Sequence, residues 1–107
     1  MTAPADPNAI RSYHAHVYFG TPAERELRTW IGERFDVQLG RIHDVLVGPH
    51  TRPMYQVAFA REVFAQLVPW LSLNHADLSV LVHPNTGRAL DDHVIHALWL
   101  GARLPVR

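Results

Sequence analysis

An α+β fold, a four-stranded antiparallel sheet with two helices on one face and a short C-terminal helix, is what three observations on this 107-residue chain predict. Stretches rich in aromatic and β-branched residues alternate with stretches of helical periodicity in the order βαββαβ. The breaks between them carry Gly, Pro and Asn, the residues that punctuate elements. No linker, repeat or low-complexity tract divides the chain, and its length suits one modest core. That element order usually folds as a split-βαβ, ferredoxin-like sandwich with strand order 4-1-3-2.

Residues 1–11 lack periodicity and are expected to form a flexible N-terminal arm, leaving residues 12–107 as a single domain. The first strand is Tyr13-His14-Ala15-His16-Val17-Tyr18-Phe19, bounded by Gly20-Thr21-Pro22. Thr21 can cap the helix that follows. Pro22 suits its first position, and Glu24 completes a Thr-x-x-Glu capping box. Ala23, Leu27, Trp30 and Ile31 fall on one face of this helix, which is expected to end near Arg34.

Phe35 to Ile42 reads as the second strand, interrupted at Gly40. Gly48-Pro49-His50 and Pro53 mark the next stretch as a loop. Met54 to Phe59 is the third strand. A second helix begins near Arg61 and buries Val63, Phe64, Leu67, Val68 and Leu71, with Pro69 expected to kink or restart it. Leu78 to His83 is the fourth strand, Pro84-Asn85-Thr86-Gly87 a turn, and His93 to Leu100 a last helix stopped by Gly101.

Composition excludes several chemistries. Ten basic and ten acidic residues cancel, so no field invites nucleic acid or an anionic membrane. There is no cysteine, so a transition metal must be held by imidazole, carboxylate or water. Gly-x-Ser-x-Gly, Walker-type and Gly-x-Gly-x-x-Gly motifs are missing. No apolar run is long enough to span a bilayer and no signal core opens the chain, so a cytoplasmic location is expected.

Eight histidines are the unusual part of the composition. Side chains alternate along a strand, so Ala15, Val17 and Phe19 share one face of the first strand, and His14, His16 and Tyr18 the other. The two imidazoles project roughly 6.6 Å apart. In a 4-1-3-2 sheet the end of the fourth strand lies beside the start of the first. Val80 and Val82 would then face the helices, and His83 would sit beside His14 on the face that carries His16. Three neutral imidazoles on a rigid sheet can hold a metal and leave positions open for substrate. A solvated polar face accounts for the alternation but not for the convergence.

His50 has two open readings, a solvated loop residue or an acid/base or fourth ligand near the metal. His93 and His96 share a helix face, as surface or packing residues or as a pocket wall. Tyr18 and Tyr55 can line a pocket or pack in the core, and Arg41 can meet a substrate carboxylate or stand on the surface.

Tyr13 to Phe19, Gly40-Arg41-Ile42-His43-Asp44, Val47-Gly48-Pro49-His50, Tyr55 to Phe59, Val68-Pro69-Trp70-Leu71, Val82-His83-Pro84-Asn85-Thr86-Gly87 and Asp92-His93 with Ala97-Leu98-Trp99-Leu100-Gly101 together resemble the DOPA 4,5-dioxygenase family. The match runs in order from about Tyr13 to Pro105. The resemblance implies a ferredoxin-like homodimer, non-haem Fe(II) and extradiol opening of a catechol ring by O₂. It goes with metal ligands His14, His16 and His83, with His50 as the acid/base. Tyr18, Arg41, Tyr55, Asn85 and His93 form the expected substrate-binding set. Zinc is a possible occupant of the isolated protein. A rival reading is a dimeric small-ligand-binding or regulatory module with a zinc-filled or empty histidine site. A dimer would also cover an open sheet face bearing Tyr18 and Leu81.

Overall fold

A computed structural model describes residues 3–18, 23–43 and 53–106. Its strands are β1 (Ser12–Tyr18), β2 (Gln38–His43), β3 (Met54–Ala60), β4 (Val80–Pro84) and β5 (Leu98–Leu100). Its helices are α1 (Ala23–Arg34), α2 (Arg61–Asn74) and α3 (Ala89–Val94). The sheet order is β2-β3-β1-β4-β5, and every pairing is antiparallel. The first four strands reproduce the expected 4-1-3-2 order, and β5 is an addition beyond β4.

Alternation decides what each face buries. Ala15 and Val17 of β1, Tyr55, Val57 and Phe59 of β3, and Val80 and Val82 of β4 are buried with Leu27 and Ile31 of α1 and Leu67 and Leu71 of α2. This is the main core. Leu27 and Ile31 lie one helical turn apart, as the periodicity requires. Trp30 departs from the expected inner face of α1 and is 40% exposed, because the stripe centred on Leu27 and Ile31 leaves it at the edge. Thr21 and Pro22, the proposed helix start, lie outside the described residues.

Three further features have local causes, the first of them the expected interruption at Gly40. The register between β2 and β3 shifts between Leu39 and Ile42, around Gly40. The Gly40 carbonyl accepts a hydrogen bond from Arg28 Nη2 at 3.0 Å. Helix α2 runs unbroken through Pro69. Both Pro69 and Ala65, whose carbonyl the ring displaces, are exposed, so water can satisfy that carbonyl. Residues 3–11, expected as an arm, include a 3₁₀ turn at Pro7–Ala9 capped by Asp6, which Arg61 holds through hydrogen bonds to the Arg11 and Asn8 carbonyls.

The largest correction is at the C-terminal end. The expected helix over His93 to Leu100 is instead the shorter, earlier α3 followed by strand β5. The Ile95 and His96 amides both donate to the Asp91 carbonyl, which closes the helix. Leu98, Trp99 and Leu100 then pair with Val82, Leu81 and Val80. The unpaired edge of β4 offered a ladder that a second helix could not fill. Gly101 ends the strand with φ +75°, and a Cβ there would come within 2.6 Å of the Leu78 carbonyl oxygen. On the face away from α1 and α2, Tyr18, Met54 and Leu81 are buried with Leu104 against Trp99 and Val106. The chain's own C-terminal segment therefore covers the apolar part of that face, a task expected of a second subunit.

Candidate metal centre

The histidines converge where the register places them. His14 lies opposite His83 across β1 and β4, and His16 opposite Leu81. His14, His16 and His83 point to the face away from α1 and α2, and one ring nitrogen from each lies within 4.8 Å of the others. His16 and His83 are 3% and 2% exposed, so these imidazoles are nearly dry, while His14 is half-buried.

Hydrogen bonds fix how two of the rings are protonated. His83 Nδ1 lies 2.9 Å from the Pro84 carbonyl oxygen, and a carbonyl only accepts, so Nδ1 carries the proton and Nε2 the lone pair. This is the usual way a metal-ligating histidine is oriented. His16 Nε2 and His83 Nε2 stand 3.0 Å apart. Without an ion, His16 Nε2–H donates to His83. Two nitrogens each about 2.1 Å from one ion, at a right angle, would also lie about 3.0 Å apart. The His16–His83 pair therefore has the spacing of two ligands on one divalent ion, and His14 offers a third ring nitrogen within 4.8 Å of them.

Electrostatics favour the same state. Burial lowers the pKa of His14 below the usual value of 6.5, and the neighbouring His93 lowers it further. Burial takes His83 down to about 4. The Pro84 carbonyl and the Asp92 carboxylate oppose that shift, and His93 and His14 assist it. Both rings are neutral near pH 7, as ligands must be.

His93 comes to the centre from α3. Its ring centroid is 3.9 Å from that of His83 and 5.7 Å from that of His16. Its Nδ1 donates to the Ala89 carbonyl at 2.7 Å, which again leaves the lone pair on Nε2. Asp92, 3% exposed, anchors the preceding turn: its carboxylate accepts from the Thr86 amide at 2.9 Å and from the Thr86 hydroxyl at 2.6 Å.

The rest of the expected set is spread out. Tyr18 shares the histidine face but is buried against Trp99, ring centroids 5.8 Å apart, and burial pushes its hydroxyl pKa up. Tyr55 is fully buried on the opposite face, where its hydroxyl donates to the Glu24 carbonyl. The sheet separates it from the histidines, so its expected contact with substrate does not hold. Arg41 is exposed on the edge strand β2, with β3 between it and β1. Asn85 donates from its amide to the Ser12 carbonyl and from its side chain to Ser12 Oγ, which clasps the end of β4 to the start of β1. His50 lies outside the described residues.

A cleft of about 440 Å³ borders His14 and is lined also by Ser12, Asp36, Gln38, Ala58 and Ala60. Ala58 stands opposite His14 in the ladder, and Ala60 opposite Ser12. Small residues at these two positions make the room. Sequence reasoning missed this wall, although Ala58 and Ala60 at alternate positions were its signal.

Residues 13–107 match the model of the Dopa 4,5-dioxygenase family. The chain belongs to that family. Over 109 residues it is 34% identical to a protein named DOPA 4,5-dioxygenase from Amanita muscaria, spanning 91% of this chain and 48% of that one. It is 36% identical to an uncharacterised 21.2 kDa protein of Botryotinia fuckeliana, over 99% of this chain and 66% of the relative. The chain thus spans about half to two thirds of the length of these curated relatives. A crystal structure of a candidate dioxygenase from Nostoc punctiforme superposes with a TM-score of 0.93 at 47% identity, covering 96% of this chain and 92% of that one. Among the described residues no helix is long and apolar enough to cross a membrane.

Proposed function

We propose that this family member is an extradiol-type ring-opening dioxygenase that holds Fe(II) on His14, His16 and His83 and cleaves a catechol with O₂. The observation that carries this reading is the convergence of three imidazole nitrogens within 4.8 Å on a rigid sheet. A common non-haem iron pattern uses two His and one carboxylate. The cluster found among the described residues is histidine only, so three imidazoles are the proposed set. Bound there, Fe(II) supplies a Lewis acid for the catechol oxygens and an electron source for O₂.

The chain's own groups do the rest. The Pro84 carbonyl keeps His83 Nε2 turned toward the centre. The cleft over Ala58 and Ala60 receives the ring beside His14. His93, with its lone pair on Nε2, accepts a hydrogen bond from a substrate hydroxyl. Tyr18, Leu81 and Trp99 keep water from the far side of His16. His50 remains the proposed acid/base, on its loop position in the sequence, taking one phenolic proton and returning one as the ring opens. Both atoms of O₂ enter the product, a ring-opened semialdehyde acid. A homodimer is proposed with this reading, and sedimentation checks it.

Metal-stripped protein reloaded anaerobically with Fe(II) or with Zn(II) tests the assignment. On mixing with aerated catechols, the iron form is expected to consume O₂ and produce a yellow semialdehyde, and the zinc form to do neither. Tight metal binding with no O₂ uptake across a panel of catechols would instead make the protein a binding or regulatory module.

A further inference from the structure

A second cavity lies on the α2 side of the sheet, away from the histidines. Its volume is about 720 Å³, within the range of small-molecule sites. Tyr13, Phe64, Val82 and Leu98 form its apolar walls. Tyr13 and Phe64 meet at 4.7 Å between centroids, with their planes tilted by 42°. The 3₁₀ turn at Pro7–Ala9 closes one side. At the rim stand Asp6, Arg88 and His96.

The charges at this rim are unequal in their commitments. Asp6 is engaged as the cap of the 3₁₀ turn, accepting the Asn8 amide at 2.9 Å. Arg88 belongs to neither the Arg34–Glu33 nor the Arg61–Glu62 ion pair. Arg88 and His96 are both exposed and flank α3, so their side chains reach the same mouth from two ends of one short helix. A guanidinium fork at the mouth of an apolar, partly aromatic cavity is complementary to a carboxylate carried on an apolar body.

We propose that this cavity is a binding site for a small amphipathic anion, an aromatic carboxylate, whose ring lies against Tyr13, Phe64, Val82 and Leu98 and whose carboxylate meets Arg88 and His96. The site is separate from the metal centre. Its lining includes Pro84, the last residue of β4, and Thr86 in the turn beyond, but none of the three clustered histidines.

Fluorine NMR of 4-fluorophenylacetate, titrated with the full-length protein, tests the proposal. Saturable broadening is expected, and the neutral amide of the same compound is expected to bind about tenfold more weakly, the worth of one charge-assisted hydrogen bond. Arg88→Gln, on an exposed side chain, is expected to cost the carboxylate about tenfold and the amide nothing. Leu98→Glu places a like charge in the wall and is expected to abolish binding, with circular dichroism reporting the fold. His16→Ala is expected to leave the affinity unchanged. Equal binding of carboxylate and amide, or no saturable binding, overturns the proposal. So does loss of binding in His16→Ala with retention in Arg88→Gln, since the anion would then occupy the metal centre.

Discussion

Replacing His83 with a side chain that cannot take up a proton should change how the metal-free protein responds to acid. The folded pKa of His83 is about 4 against a model value of 6.5, with burial as the main cause. Above pH 6.5 the ring is neutral in both states and costs nothing. Between pH 6.5 and 4 the unfolded chain takes up a proton that the folded chain refuses. The unfolded state binds more protons, so stability falls as the pH falls. Below about pH 4 both states are charged and the loss is complete. A shift from 6.5 to about 4, at about 1.4 kcal/mol per unit, makes the full loss about 3 kcal/mol. That is a large share of the 5–15 kcal/mol typical of a small domain, so it should be visible.

The assay is urea denaturation of metal-free protein from pH 8 to pH 3.5, for the parent and for His83→Gln. Other titrating groups contribute to each curve, and the difference between the curves isolates His83. The parent is expected to lose about 3 kcal/mol more than the variant across that interval, nearly all of it between pH 6.5 and 4. The loss of His14 falls in the same direction, since its pKa is also lowered. Saturating metal should steepen the parent's curve further, because the ion binds only neutral imidazoles. Parallel curves for parent and variant would refute the claim that His83 is held neutral by burial.

Three further outcomes are expected. His16→Ala should abolish tight metal binding and keep the fold, since the ring projects away from the α1 and α2 core; metal analysis with circular dichroism decides it, and full occupancy would remove His16 from the ligand set. His50→Ala should keep iron but lose catechol turnover by about 10²–10⁴-fold, read from semialdehyde absorbance at matched iron content; loss of iron in step with activity would make His50 a ligand. Asp92→Ala removes two hydrogen bonds to Thr86 from a buried carboxylate and should cost about 2 kcal/mol in urea denaturation, whereas a loss under about 0.5 kcal/mol would show the turn to be held otherwise.

The histidine cluster was legible because it follows from two local facts and one rule. Alternation put His14 and His16 on one face, and antiparallel pairing put His83 beside His14. Tyr55 was legible as well: it is two and four residues from Val57 and Phe59, so the same alternation commits it to the core. Reading it as a pocket residue set chemistry above periodicity. Strand β5 was not legible locally. Val94 to Leu100, apolar apart from His96, carries both helical and alternating spacings, and what decided it was a neighbour far away in sequence, the open edge of β4. His93 was placed on a helix, but its close approach to the His83 ring depends on how α3 packs across β4, which no local pattern encodes.

The precision of the centre rests on residues that touch no metal. A slip of β4 by one residue against β1 would turn His83 toward the helices and bring Val82 to the open face. Contacts at both ends of the pairing oppose that slip. At one end the Asn85 amide and side chain both bond to Ser12. At the other the Tyr18 amide bonds to the Ser79 carbonyl. Strand β5 pins the outer edge by matching Leu98, Trp99 and Leu100 to Val82, Leu81 and Val80. Asn85 thus holds the register of the histidine strands through Ser12, which accounts for its place beside the histidine motif. The sheet fixes three nitrogens, and α3 and its turn bring a fourth imidazole to their edge. The three candidate metal ligands therefore sit on the most rigid element, while His93 sits on a short helix, where sequence can change without disturbing the sheet.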